Sequence, residues 1–294
     1  PIGAPINYEM YLGLIHPEDY DYLAPKWEET LKKKISTSYT IEYRLIVNNE
    51  IKWVSEEIEV QFDANGIPTA VFGIIQDITK QRRIEQEKQA LAEIVQGLAF
   101  SKDLTEFLGR MHQSIDRVVQ ARNLFVTLYN ESTGLFEDAY SVDQYDGPLL
   151  PSTREGTLTR HVFTTSQPIL ITHEKFDELI STGQAKLVGT NFQSWLGVPL
   201  KTADKTIGVI VIQDYETPNL YSDKDLEFLA SISGQVALAV ERKRAEAENV
   251  RQLSELETLY ESGLAFGSVR TPKEIAQKVV EILERKMNWH HIAI

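Results

Sequence analysis

The sequence predicts an α+β chain in which antiparallel-sheet modules are joined by long helices. Three observations carry this. Near the start, apolar runs that alternate or are β-branched follow one another across short Asn- and Gly-containing turns. Two charged segments, 80–101 and 223–263, carry helical periodicity. The tetrapeptide "GLAF" occurs at Gly97–Phe100 and again at Gly263–Phe266, and each copy precedes an apolar stripe stepping by four. The first stripe is Phe107, Met111, Ile115 and Val119; the second is Ile275, Val279, Leu283 and Met287. A chain of 294 residues is longer than one ordinary domain, so at least two are expected.

The first segment opens with "IHPEDYDYLAPKWEETLKKKI". Pro17 suits the first helical position, where its missing N–H would be unpaired anyway, and Glu18 and Asp19 sit near the positive end of the helix dipole. "YTIEYRLIV" alternates, with Ile41, Tyr43, Leu45 and Val47 on one face. Asn48-Asn49 is a tight turn, since Asn tolerates positive φ. "IKWVSEEIEVQF" is the second strand, with Val54, Ile58, Val60 and Phe62 in one parity and a bulge expected near Ser55. "DANG" at 63–66 is a turn, and "PTAVFGIIQDIT" is the third strand of a meander. Val71, Gly73 and Ile75 share one face of that strand; Phe72, Ile74 and Ile78 share the other. With both faces apolar, it is expected to be buried on both.

At "GIIQDITKQRRIEQE" the strand gives way to a charged helix with almost no loop. Asp77 and Thr79 offer short side-chain oxygens where the helix begins, as caps do. Asp77, Ile78 and Thr79 are therefore the candidate signal junction. Ile84, Leu91 and Leu98, with Ile94 as companion, make a short heptad-like seam that suits either a paired helix or an ordinary amphipathic one. Asp103 and Glu106 form a capping box for the next helix. Strands follow at "NLFVTLYN" and "LFEDAYSV", then a polar loop through 143–156 and a helix at "TLTRHVFTTSQ". The strand "PILIT", the helix "EKFDELISTG" and the strands "SWLGVPLK" and "TIGVIVIQDY" complete the sheet. Ser222 and Asp225 cap a helix running from Asp223 to about Gly263, about 60 Å long at 1.5 Å per residue. A domain of this size cannot bury such a helix, so its charged second half is expected to leave the domain.

Bulk composition narrows the function classes. The net charge of −13 argues against a nucleic-acid surface, which needs a basic patch. The absence of cysteine removes disulfides, thiolate zinc sites, iron–sulfur clusters, cysteine nucleophiles and thioether-linked chromophores. No apolar run approaches the roughly 20 residues of a membrane helix, and no signal-peptide pattern opens the chain. A cytoplasmic segment without membrane contact is expected. HExxH, EF-hand, GxSxG and GxxxxGK[ST] motifs are all missing. The six histidines are scattered: His16 sits at a helix start, His112 and His161 are lone helix residues, His173 opens "HEKFDEL", and His290-His291 would point to opposite faces of a strand. No metal site is expected.

"IHPED", "IEYRL", "IKWV", "DANG" and "FGIIQDIT" together resemble the C-terminal half of a PAS domain. The usual first strands of that family are missing upstream. "SWLGVPLKTADKTIGVIVIQD", the opening amphipathic helix and "YSDKDLEFLASISGQVALAVE" resemble a GAF domain. The resemblances imply PAS-like and GAF-like modules joined by long signalling helices. The expected divisions are a partial PAS domain at 1–80, a helical linker at 81–101 and a GAF domain at 102–240. A second linker at 241–263 and the truncated start of a second GAF-like domain at 264–294 follow. The GAF resemblance implies a sheet of about six strands flanked by helices, with a small-molecule pocket in many members. Tandem PAS and GAF modules imply a sensor protein, with a histidine kinase or cyclic-dinucleotide enzyme as common output.

Phe125, Tyr129, Tyr140, Trp195 and Gln213 lie on strands beside loops and are the candidate pocket residues, with plain core or surface positions as the alternative. "EKFDE" at 174–178 departs from the cyclic-nucleotide signature of some GAF domains, with Glu174 in place of Asn and collapsed spacing. "HEKFDEL" shares only two residues with a histidine-kinase phosphoacceptor site. No cofactor is identified; an unknown small molecule is the expected ligand. The expected function is a non-catalytic sensory and signal-relay segment, working as a parallel homodimer through its helices. The alternatives are a constitutive dimerisation scaffold and a regulatory segment of a cyclic-dinucleotide enzyme.

Overall fold

Alternation of apolar residues makes the first strands, and their turns set the register. In the computed structural model, which describes residues 8–33, 35, 37–267, 271, 273, 277 and 280, β1 (Thr37–Val47), β2 (Glu50–Phe62) and β3 (Pro68–Asp77) form an antiparallel sheet in that order. Asn48 and Asn49 take φ of 52° and 64°, so the tight turn pairs Val47 with Glu50. Asp63 Oδ1 accepts from the amides of Asn65 and Ile67 at 2.8 Å each, which closes the second turn. Ahead of the sheet come α1 (Tyr8–Leu12), a 3-10 turn (Pro17–Asp19) and α2 (Tyr20–Lys33). The Pro17 turn begins on His16, whose Nδ1 accepts from the Glu18 amide.

Ile41, Tyr43, Leu45 and Val54 bury one sheet face against Ile15. Asp19 ties the Pro17 turn to β1: it accepts from the Arg44 amide at 2.7 Å and from Arg44 Nε at 3.1 Å. Two expectations fail in this sheet. The bulge falls between Gln61 and Phe62, and pairing runs unbroken through Ser55. Strand β3 is exposed on both faces, with Val71, Phe72, Ile74 and Ile75 between 44% and 71% exposed. It is the edge of a three-stranded sheet, so among the described residues its one strand neighbour is β2.

Helix α3 (Thr79–Phe100) follows β3 directly, and the chain divides into two compact units between Ala90 and Leu91. The second unit begins its globular part with α4 (Leu104–Asp116). Asp103 Oδ1 accepts from the Glu106 amide at 2.9 Å, and Glu106 reaches back to the Lys102 amide. Then come β4 (Asn123–Asn130), β5 (Leu135–Val142), α5 (Leu158–Thr165), β6 (Ile169–Thr172), α6 (His173–Ser181), β7 (Ser194–Lys201), β8 (Thr206–Asp214) and α7 (Asp223–Gly267).

The sheet of this unit is antiparallel throughout, in the order β5-β4-β8-β7-β6. It has five strands among the described residues, against about six expected. In the polar loop after β5, Ser152 makes an isolated bridge to Phe136 and no further pairing. Pro148 and Pro151 both precede that bridge and cannot donate to a ladder. Strands β7 and β8 are buried in both parities, so the sheet centre is covered on both faces. Helix α5 packs on β7 and β8, and α7 packs on β7 and α4.

Helix α7 has 45 residues, about 68 Å at the usual rise. Its first half supplies buried Phe228, Leu229, Ile232, Val236, Ala237 and Val240. Between Glu241 and Tyr260 no residue is buried. Val250, Leu253, Leu256 and Tyr260, each more than 60% exposed, step by three or four along one side. The expected second GAF-like copy at 264–294 lies almost wholly outside the described residues.

Candidate functional site

Phe125 on β4, Trp195 on β7 and Gln213 on β8 share one cavity of about 70 Å³ in the second unit. The first turn of α5, Phe176 on α6 and the loops around 143–149 and 186–192 supply its other walls. Phe176, Phe192 and Trp195 belong to the hydrophobic cluster beneath. Room for several water-sized spheres suits a small metabolite better than a drug-sized ligand, which needs ~300–1,000 Å³.

The polar part of the cavity is organised by three aspartates. Asp138 on β5 accepts from Arg154 at 2.7 Å and from the Leu149 amide at 2.9 Å, and the Arg154–Asp138 pair is almost completely buried. Asp143 accepts from Tyr215 Oη at 2.8 Å and Gln213 Nε2 at 2.9 Å. Burial, then Asp143, pushes the Tyr215 hydroxyl pKa up, so it stays a donor. Asp146 accepts from the Thr190 amide at 2.7 Å and its hydroxyl at 3.0 Å. The loops bearing Asp146 and Thr190 are thereby latched together. Gly189, with φ of 84°, lets its backbone come close to Asp146, where a side chain would collide with the carboxylate.

Of the candidate pocket residues, the structure brings Phe125, Trp195 and Gln213 together and places Tyr129 and Tyr140 outside the cavity wall. Tyr129 stacks on Phe163 at 4.8 Å and Phe136 at 5.1 Å. The Tyr140 hydroxyl lies 3.0 Å from Nδ1 of buried His112, whose Nε2 is 2.6 Å from the Ala121 carbonyl. That histidine is a satisfied core residue. Sequence reasoning missed Asp138, Asp143, Asp146, Arg154 and Thr190. They sit in a long polar loop or are partnered across 16 or more residues, and no local spacing marks them. Among the described residues no cluster of three or more His, Asp or Glu side chains is placed to hold a metal.

At the junction in the first unit, the Thr79 amide donates to Asp77 Oδ1 at 2.9 Å. The bonds from Thr79 hold the Asp77 carboxyl below its ordinary pKa. The Ile78 amide donates to the Trp53 carbonyl at 2.9 Å, and the Ile78 side chain is buried. Thr79 Oγ1 is turned to β2, where it accepts from the Trp53 amide at 2.9 Å. Arg82 lies over the Trp53 ring, 3.8 Å from its centroid, and pairs with Glu42 at 2.8 Å. Strand end and helix start are thus one hydrogen-bonded unit with β2.

Comparison with known families agrees with both architectures. Residues 6–75 match the PAS fold and residues 101–241 match the GAF domain. The chain therefore carries a PAS fold followed by a GAF domain. Both are sensory regulatory modules, and the chain is a sensory signalling module with no catalytic domain among its family matches. A comparison with curated proteins finds no match. Among solved structures, the GAF domain of an Acinetobacter phosphoenolpyruvate-protein phosphotransferase is similar at 18% identity and a TM-score of 0.46, over 55% of this chain and 97% of that one. The corresponding domain from Coxiella burnetii is similar at 15% identity and a TM-score of 0.47, over 56% of this chain and 98% of that one. Among the described residues, no helix is long and apolar enough to cross a membrane.

Proposed function

We propose that this chain is the non-catalytic sensory and relay segment of a larger cytoplasmic signalling protein, with a sensor histidine kinase as the parent. A small molecule held in the GAF cavity is the input, and helices α3 and α7 carry the response. The divisions behind this reading are a PAS-like part at 1–80, linkers at 81–101 and 241–263, a GAF part at 102–240 and a further GAF-like start from 264. The observation that carries it is α7: one continuous helix packs on the cavity-bearing sheet with its first half and shows an apolar stripe to solvent with its second. Apolar residues at such spacing on a charged helix suit pairing with the same helix of a second copy, in parallel. A ligand biases such a relay only through different affinities for two states.

Native mass spectrometry of the purified chain tests the reading. The expected result is a dimer that carries a small molecule or gains one on exposure to a cell extract. A dimer that never takes up a ligand would favour a constitutive scaffold. A monomer would contradict the paired-helix relay.

A further inference from the structure

We propose that the GAF cavity takes a small carboxylate with an apolar body, received by Arg154 and the first turn of α5. This rests on the reading of the GAF domain as the ligand-sensing module and names the class of ligand for it.

Arg154 stands on the cavity wall, is 6% exposed and has φ of 53°. A long side chain in the left-handed region is uncommon, and such strain gathers at ligand sites. One terminal nitrogen of its guanidinium donates to Asp138. Its Nε is buried and has no hydrogen-bond partner. Arginine stays charged and cannot remove the unmet donor by losing a proton, so the orphaned N–H is a standing cost. A bound oxygen acceptor removes it. Asp138 engages one terminal nitrogen of the guanidinium, and its other donors remain for a second acceptor.

The first turn of α5 adds donors of the same sign. Thr157 caps the helix by accepting from the Arg160 amide. The amides of Leu158 and Thr159 have no acceptor within the helix and lie at the positive end of its dipole. Both residues line the cavity, and Thr159 is 5% exposed. The remaining acids are spoken for: Asp143 by Tyr215 and Gln213, Asp146 by Thr190. Each of these carboxylates already holds at least two donors, whereas Arg154 Nε holds no acceptor and the two α5 amides have none within the helix, and this balance of unmet donors favours an anion over an amine. Aromatic walls from Phe125, Phe176, Phe192 and Trp195 supply the place for an apolar body, which an inorganic oxyanion lacks.

Isothermal titration of the whole chain decides the matter. The probes are phenylacetate and 3-methylbutanoate, each beside its neutral amide, and inorganic phosphate. The acids are expected to bind saturably, with the amides and phosphate weaker by about tenfold or more. Arg154→Gln combined with Asp138→Asn, which removes both buried charges at once, should abolish the preference for acid over amide. The comparison in the unmodified protein stands even if that variant folds poorly. Amides or phosphate binding as tightly as the acids would overturn the carboxylate assignment while leaving a ligand-sensing cavity. Binding by none of the probes would also overturn it, and the relay would then be judged by the oligomeric state and by the helix insertion described below.

Discussion

The backbone N–H of Trp53 donates to Thr79 Oγ1 at 2.9 Å, so the first residue of helix α3 is bonded into the middle strand of the PAS sheet. The Thr79 hydroxyl also reaches back to the Trp53 carbonyl at 3.4 Å. One threonine thus continues the strand ladder with its side chain after the backbone has turned into a helix. Thr79→Ala should leave a partly buried amide unpaired and cost about 1–2 kcal/mol, while Thr79→Ser should restore most of it. Urea unfolding gives the magnitude, and amide exchange at Trp53 gives the site. Unchanged exchange in the alanine variant would refute the link.

Tyr221 is 5% exposed, and its hydroxyl has no hydrogen-bond partner. Burial, and then the nearby Asp214, Asp225 and Asp116, disfavour its ionisation. Removing an unsatisfied buried hydroxyl while keeping the ring should be neutral or stabilising, by up to about 1 kcal/mol. Tyr221→Phe should therefore hold or raise the melting temperature. A clear fall would reveal a partner for the hydroxyl.

Two glycines of the GAF sheet should respond differently to alanine. A Cβ at Gly208 would fall on the Thr127 carbonyl oxygen and 3.2 Å from Leu128 Cα, both backbone of the neighbouring strand. Gly208→Ala should cost about 3 kcal/mol, because a strand must move. A Cβ at Gly197 would meet the ring of buried Trp195, a side chain rather than the backbone of a neighbouring strand. Gly197→Ala should lose less stability but displace a cavity wall. Thermal unfolding beside ligand titration would separate the two effects.

The PAS unit should have an acid limb from Asp19. Hydrogen bonding from Arg44 is the main reason its carboxyl lies below the ordinary pKa. A carboxyl depressed in the folded state adds stability above its unfolded pKa and loses it as pH falls through the folded one. Stability should thus fall below about pH 4, and Asp19→Asn should flatten that fall while costing about 1.5–3 kcal/mol at neutral pH. Glu56 has the opposite sign, since burial pushes its carboxyl up, so its ionisation weakens the fold as pH rises through that raised value. Urea midpoints across pH, followed by Trp53 fluorescence, would show both limbs.

Local chemistry made most of the fold legible in the sequence. Alternation in 39–47, the Asn48-Asn49 turn and the Asp103–Glu106 box each act within a few residues, and each is found in place. The failure at β3 has a physical cause. Apolar residues in both parities report a strand that could be covered twice, but covering it is a tertiary event, and β3 is an edge. The cavity divides along the same line. Phe125, Trp195 and Gln213 sit on strands whose register brings them together. Arg154, Asp143 and Asp146 come from a loop, where nothing periodic tells which side chain turns inward.

The rigid joint at Thr79 and the phase of α3 are the core of the relay reading. Inserting one residue after Gln86 turns everything beyond it by about 100°, whereas inserting seven returns the helix to within about 20° of its original phase. Signalling output of the full-length protein, compared across the two insertions, is the most direct measurement. The relay predicts output that is lost or locked with one added residue and recovered with seven. Output unchanged by the single insertion would contradict it.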